Sequence, residues 1–252
     1  ELRIVLQNDF SLLNITACIL QRCTMMPSLS YDSIILDRRW FNDEIFELRC
    51  SKPESFSFLP GQFIPVRYLD TEREYTIISA PEEPVLRLLI KRAQQGRLSV
   101  LLAELAMGTK VSIGQAQGYF CFEPSDREAC FIATGTGIAP FISMAASGVR
   151  GFTLLHGVRH PSALVYREEL SRAAKLYVPC LSSDAALTET TTEIIQAHPA
   201  AFHGYVSSYV ETTLAPGNYD FYLCGLRTMI HYLTHLLDAR YPQARIYSEA
   251  YD

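Results

Sequence analysis

Thr134-Gly135-Thr136-Gly137 interrupts an apolar run, with CFIA before it and IAPF after it. Glycines let a backbone approach a ligand closely, and a helix that starts just beyond them offers unpaired N–H groups to an anion. Pro140 suits the first turn of such a helix, where a missing N–H costs nothing. The stretch reads as a phosphate-holding loop between a strand and a helix. A full dinucleotide fingerprint would put a third glycine where Pro140 stands, so the loop alone also fits a plain strand-to-helix turn. Upstream, Arg73-Glu74-Tyr75-Thr76-Ile77-Ile78-Ser79 joins a guanidinium suited to phosphate, a ring suited to stacking and two hydroxyls. In Gly96-Arg97-Leu98-Ser99 the serine is placed to cap a helix, to hold a phosphate, or both. Cys224-Gly225 closes a third apolar run, and Glu249-Ala250-Tyr251 lies just before Asp252.

The elements that must position these residues fall into two rhythms. From residue 31 to about 124, six short β-rich runs are separated by turn signals such as NDE, LPG and PEEP. They predict a six-stranded antiparallel β-barrel, capped by a helix over 98–107 whose apolar residues recur at helical spacing. Alternation along one strand puts Arg73, Tyr75 and Ile77 on one face and Thr76 and Ile78 on the other. From about residue 126, strand and helix alternate, which predicts a parallel sheet wrapped by helices. Helices are expected over 138–147, 164–176 and 226–240, and a last strand over 245–251. The division is therefore 1–30, an N-terminal segment; 31–125, the barrel; and 126–252, the α/β domain. The fold class is two-domain, β followed by α/β.

Composition narrows the function. A net charge of −5 with no long basic run argues against nucleic acid and anionic lipid. No run approaches the ~20 apolar residues that span a bilayer, so no membrane insertion is expected. The opening residues show no secretion signal, although the sequence begins with Glu rather than Met. Seven cysteines, an odd count without a CxxC, point to reduced thiols and a cytoplasmic setting. Cys18 and Cys23 carry the first spacing of a plant-type [2Fe–2S] pattern, but Met26 stands where the third ligand would be. They read either as ordinary thiols or as an incomplete or degenerate ferredoxin-like piece. No complete metal site is expected.

TGTGIAPF preceded by the barrel pattern resembles the nicotinamide loop of the ferredoxin–NADP(H) reductase family, and other motifs follow in that family's order. REYTIIS matches R-x-Y-[ST]-x-x-S, GRLS matches G-x-x-S, CGLRTM matches C-G-x-x-x-M, and EAY matches a terminal E-x-Y. The resemblance covers residues 31 to 252. It implies that Arg73 pairs with the flavin phosphate, Tyr75 lies against the flavin ring, Thr76 sets a hydroxyl near the reacting flavin nitrogen, and Ser79 completes the motif. It implies that Gly96 and Ser99 hold the pyrophosphate of FAD, which favours FAD over FMN. Gly135, Thr136 and Gly137 would cradle NAD(P)H, with Ser182 near its ribose and Cys224 and Gly225 near the nicotinamide. Glu249 would support proton or hydride transfer and Tyr251 would cover the second flavin face. Thr76, Cys224 and Glu249 are thus the catalytic candidates. Ser182-Ser183-Asp184 lacks the arginine that often grips the NADPH 2′-phosphate, which tilts the choice towards NADH. The implied function is an FAD-dependent NAD(P)H oxidoreductase that feeds a ferredoxin, a flavodoxin or an oxygenase component. The alternative is a non-enzymatic flavin or nucleotide sensor that keeps the loops without turnover.

Overall fold

A computed structural model describes residues 30–93, 96–183 and 201–251. Cys18, Cys23, Asp184 and Asp252 lie outside the described residues, so the reading of the N-terminal segment is not addressed by it.

The six barrel runs form β1 (Ser30–Trp40), β2 (Ile45–Ser51), β3 (Phe63–Tyr68), β4 (Thr71–Thr76), β5 (Val85–Lys91) and β6 (Lys110–Gly114), in the order β4-β3-β6-β1-β2-β5. All pairings are antiparallel. A single bridge from Ile77 to Leu88 brings the β4 edge back to β5. Helix α1 (Arg97–Glu104) caps the barrel and buries Leu98 and Leu102. It is shorter than the 98–107 expected. Leu105 turns extended, and Arg38 of β1 donates to the carbonyls of Leu102 at 3.0 Å and Leu105 at 2.8 Å, closing the helix end from outside.

The second half is a parallel sheet, with β7 (Glu128–Thr134), β8 (Thr153–Val158), β9 (Leu176–Leu181), β10 (Phe202–His203), β11 (Tyr219–Leu226) and β12 (Arg245–Tyr251) in the order β10-β9-β8-β7-β11-β12. Around it lie α2 (Ala139–Ala146), α3 (Arg167–Ala173), α4 (Val206–Thr212) and α5 (Arg227–Arg240). The helix expected over 164–176 starts only at Arg167, because Tyr166 adopts a left-handed conformation with φ of 55°. Strand β10 and helix α4 were not foreseen. A two-residue strand has no period to read, and α4 buries only Val206 and Val210.

The alternation read through the REYTIIS motif holds. Ile77 points into the barrel core with Ile35, Phe46 and Leu48, whereas Ile78 joins the other core. That second core is shared. Ile45, Leu89 and Phe120 from the barrel side pack with Phe131, Phe141 and Tyr166 from the α/β side. Phe120 meets Phe141 at 5.7 Å edge to face. One apolar cluster therefore joins the two sheets and fixes how their edges face each other.

Candidate functional site

Strand β7 delivers Thr134 to the carboxyl edge of the parallel sheet, where such folds bind ligands. The chain then turns through Gly135–Ile138 as a single 3₁₀ turn into α2, with Pro140 in the first helical turn and no side chain capping the helix. Gly135 has φ of 54°, and a Cβ there would meet nothing within 4 Å, so its outer face is open. Gly137 is the reverse. A Cβ on it would lie 2.7 Å from the Gly225 Cα and closer still to the Cys224 carbonyl oxygen. Two loops of the parallel sheet pass here without room for a side chain, and Gly225 completes the fit with φ of 132°. Thr134 Oγ1 accepts a hydrogen bond from Leu226 N at 2.9 Å and locks the crossing.

His156, at the centre of β8, supports Gly135 from beneath. Its Nε2 donates to the Gly135 carbonyl at 3.1 Å, and its Nδ1 accepts from the Tyr177 hydroxyl at 3.1 Å. A carbonyl only accepts, so the ring is the neutral Nε2–H tautomer. Burial lowers its pKa to about 4, which keeps it neutral. The sequence offered only a lone histidine in an apolar strand as a signal.

At the other end of this edge, β11 and β12 run parallel in register, pairing Cys224 with Glu249 and Leu226 with Tyr251. The Tyr251 ring packs against the shared core, and its hydroxyl forms a short hydrogen bond with Thr76 of β4. The Cys224 and Glu249 side chains both interact with Tyr251. Thr76, Cys224, Glu249 and Tyr251, named from three separate stretches, thus converge on one phenol between the two domains. Burial, with the adjacent Glu249 charge, pushes the Cys224 thiol well above its usual pKa, so it stays protonated. Tyr251 rises for the same reasons. Burial and the nearby Glu74 carboxylate raise Glu249 to about 7. Glu249 Oε1 is buried without a hydrogen-bond partner. A partly enclosed carboxyl that titrates near neutrality and keeps one oxygen free is suited to passing a proton. Neither Glu74 nor the crossing of Thr134 over Leu226 was foreseen from the sequence, because both depend on long-range pairing.

The barrel end of the site is more open. Arg73 is exposed, and its guanidinium donates to the Glu72 carbonyl at 2.8 Å. Tyr75 is on the same face of β4, beside Ile64 of β3, and burial raises its pKa to about 12. Arg97, at the start of α1, reaches Asp70 at 3.1 Å and ties that helix to the β3–β4 turn. Gly96 and Ser99 hold the turn before α1. Ser99 Oγ accepts from Ala93 N at 3.1 Å and donates to the Gly96 carbonyl at 3.4 Å. Its hydroxyl is engaged in the loop, so the uncapped first-turn N–H groups of α1 are the donors left for an anion. Ser182, just past β9, donates its backbone N–H to Val158 at 3.0 Å and stays on the carboxyl edge.

Ser79, which the resemblance also counts among the cofactor-binding residues, is held by protein groups. It is fully buried, its hydroxyl accepts from Arg87 N at 3.2 Å, and its carbonyl accepts from Ser143 Oγ of α2 at 2.8 Å. It joins the domains and does not face the cleft. A serine four residues beyond a tyrosine looks alike in either role until its partners are known.

These residues suit a flavin dinucleotide on the barrel and a nicotinamide dinucleotide on the parallel sheet. An exposed guanidinium and free helix N–H groups are phosphate donors, the open Gly135 turn admits a close backbone approach, and Glu249 Oε1 is an unfilled buried acceptor. Among the described residues, no cluster of three or more His, Cys, Asp or Glu could hold a metal ion, and no helix is long and apolar enough to cross a membrane.

Comparison with known proteins agrees with the two halves. The family model of the oxidoreductase FAD-binding domain matches residues 41–122, and that of the oxidoreductase NAD-binding domain matches residues 131–235. The chain belongs to the ferredoxin–NADP reductase-like family of flavoprotein reductases. It is 28% identical over 221 residues to the toluate 1,2-dioxygenase electron transfer component of Pseudomonas putida, which covers 83% of this chain and 64% of that protein. It is 28% identical over 219 residues to ferredoxin–NADP reductase B of Sorangium cellulosum, covering 79% of this chain and 87% of that one. A ferredoxin NADP+ reductase from Neisseria gonorrhoeae, solved with bound FAD and NADP, shares the fold with a TM-score of 0.71 at 22% identity, over 88% of this chain and 98% of that one. The chain spans less than two thirds of the length of several curated relatives that it matches.

Proposed function

We propose that the protein is an FAD-dependent NAD(P)H oxidoreductase that passes electrons to a protein carrier, a ferredoxin, a flavodoxin or an oxygenase component. The observation that carries this reading is the convergence of Thr76, Cys224 and Glu249 on the Tyr251 phenol, at the seam of a flavin-type barrel and a nicotinamide-type sheet. FAD bound at the barrel would take a hydride from NAD(P)H and hand its electrons on, a task the protein serves by alignment and electrostatics. Arg73 and the first-turn N–H groups of α1 hold the flavin phosphates, and Tyr75 lies against the flavin ring. Gly135, Thr136 and Gly137 receive the nicotinamide dinucleotide, with the N–H groups of α2 facing its pyrophosphate. Tyr251 covers the seam and moves aside for the nicotinamide, which frees the Thr76 hydroxyl. Cys224, held protonated, closes the pocket floor without competing as a nucleophile. Glu249 holds a proton at Oε1 or Oε2 near neutral pH and relays it during turnover. NADH is the preferred donor, because Ser182 and Ser183 bring no basic side chain for a 2′-phosphate.

The dioxygenase and ferredoxin connections of the two curated relatives support a protein acceptor. The test is steady-state oxidation of NADH and NADPH by the FAD-loaded protein with an artificial one-electron acceptor. Sustained turnover, faster with NADH, is expected. Retained flavin and nucleotide binding without turnover would favour a sensor and overturn the enzyme reading.

A further inference from the structure

A crevice of about 630 Å³ opens between barrel and α/β domain. Its floor holds ionisable side chains that the chemistry above does not use. Tyr166 is one of two non-glycine residues with positive φ among the described residues. The left-handed turn drives its ring out of its own domain and against the barrel, 5.2 Å from Phe41. There its hydroxyl donates to Glu47 of β2 through a short hydrogen bond and accepts from Arg87 Nη1 of β5 at 3.2 Å. Glu47 is 4% exposed, so its carboxylate depends on these partners. Arg87 is fixed in turn by Glu83, through bonds of 2.8 and 2.7 Å. Glu83 also accepts from Ala80 N at 2.8 Å.

We propose that Tyr166, Glu47 and Arg87 form a clasp that sets the angle between the two domains and so positions the hydride donor against its acceptor. The inference rests on the reductase reading given above. The path from clasp to site is short and continuous. Arg87 N donates to Ser79 Oγ, and the Ser79 carbonyl takes Ser143 Oγ. Ser79 follows Thr76 by three residues, and Ser143 is on the helix that begins at the Gly135–Ile138 turn. Both walls of the nicotinamide site are thus anchored to one buried polar network. Such a network has few alternative arrangements that satisfy every member, so it selects one domain orientation where an apolar contact would tolerate several. These are positioning residues, because none lines the pocket formed by Thr76, Cys224, Glu249 and Tyr251.

The test uses the FAD-loaded protein with Tyr166→Phe, Glu47→Gln and Ser143→Ala. Tyr166→Phe is expected to slow anaerobic flavin reduction by NADH about 10-fold, with flavin content retained, since small misalignments of reacting groups carry large rate costs. It should also raise amide hydrogen exchange in α2 and in residues 77–83. Glu47→Gln keeps an acceptor for the phenol and should stay near the parent in both readouts. Tyr166→Phe with parent reduction rate and parent exchange would overturn the clasp. If Tyr166→Phe fails to hold flavin, Ser143→Ala must show the slowed reduction and raised exchange, and its failure to do so would overturn the clasp equally. Should the parent not be reduced by either nucleotide, the reductase reading fails, while the exchange comparison still decides whether the clasp joins the domains.

Discussion

The two ends of the cleft are built on opposite plans. At the barrel end, Arg73 is exposed, α1 starts without a cap, and Ser99 holds the loop before it. At the seam, Cys224 is fully buried, Gly137 and Gly225 leave no space, and Glu249 titrates far from its usual range. The first end can hold charge by offering donors to it. The second can change a proton's position because burial has raised the pKa of Cys224, Glu249 and Tyr251. On the proposed reading one end governs affinity and the other governs rate, a separation that substitutions can break.

The sharpest break is Gly137→Val. A branched side chain cannot fit beside the Cys224 carbonyl, so the two loops must part. Flavin reduction by NADH should fall about 100-fold or more, while flavin content stays near the parent. Stopped-flow absorbance against released-flavin assay separates the two. The opposite pattern is expected of Arg73→Ala. Losing a charge-assisted phosphate contact should weaken flavin binding by about 1.5–3 kcal/mol, with little change in the reduction rate of the flavin that remains bound. Fluorescence titration of the apoprotein with FAD gives the affinity.

Glu249 tests the seam by pH. Its folded-state pKa of about 7 exceeds the unfolded value of 4.5, so the folded chain holds the proton to higher pH. Its contribution is complete below 4.5 and is lost as pH rises through 7. Urea unfolding should show stability falling across that window by up to about 2 kcal/mol from this group. Because the buried His156, lowered from 6.5 to about 4, makes stability rise with pH over much of the same window, the Glu249 contribution is read as the difference between the parent and Glu249→Gln. The smallest effect belongs to Ser99→Ala, which loosens the turn before α1. It should cost about 1 kcal/mol of stability and leave the reduction rate unchanged.

The same contrast explains what was readable from sequence. The barrel strands and the final strand over 245–251 carry their period in their own residues, and the structure places them accordingly. Thr134 to Gly137 was readable because its strand–glycine–helix pattern is local, although the crowding that excludes a side chain at Gly137 comes from Cys224 and Gly225. Ser79 was not, since its partners Arg87 and Ser143 come from other elements. Tyr166 sits in an apparent helix, and only its contact with Glu47 across the domains accounts for the turn that shortens α3. His156 beneath Gly135 and Glu74 beside Glu249 were hidden for the same reason, because strand register creates the first pair and packing of one sheet against the other creates the second.

The most direct measurement is an anaerobic visible spectrum of the FAD-loaded protein before and after NADH, and then with NADPH on a fresh sample. Bleaching of the bound flavin band, more rapid with NADH, is the result the account predicts. A protein that takes up no flavin, or a bound flavin that neither nucleotide bleaches, would contradict it.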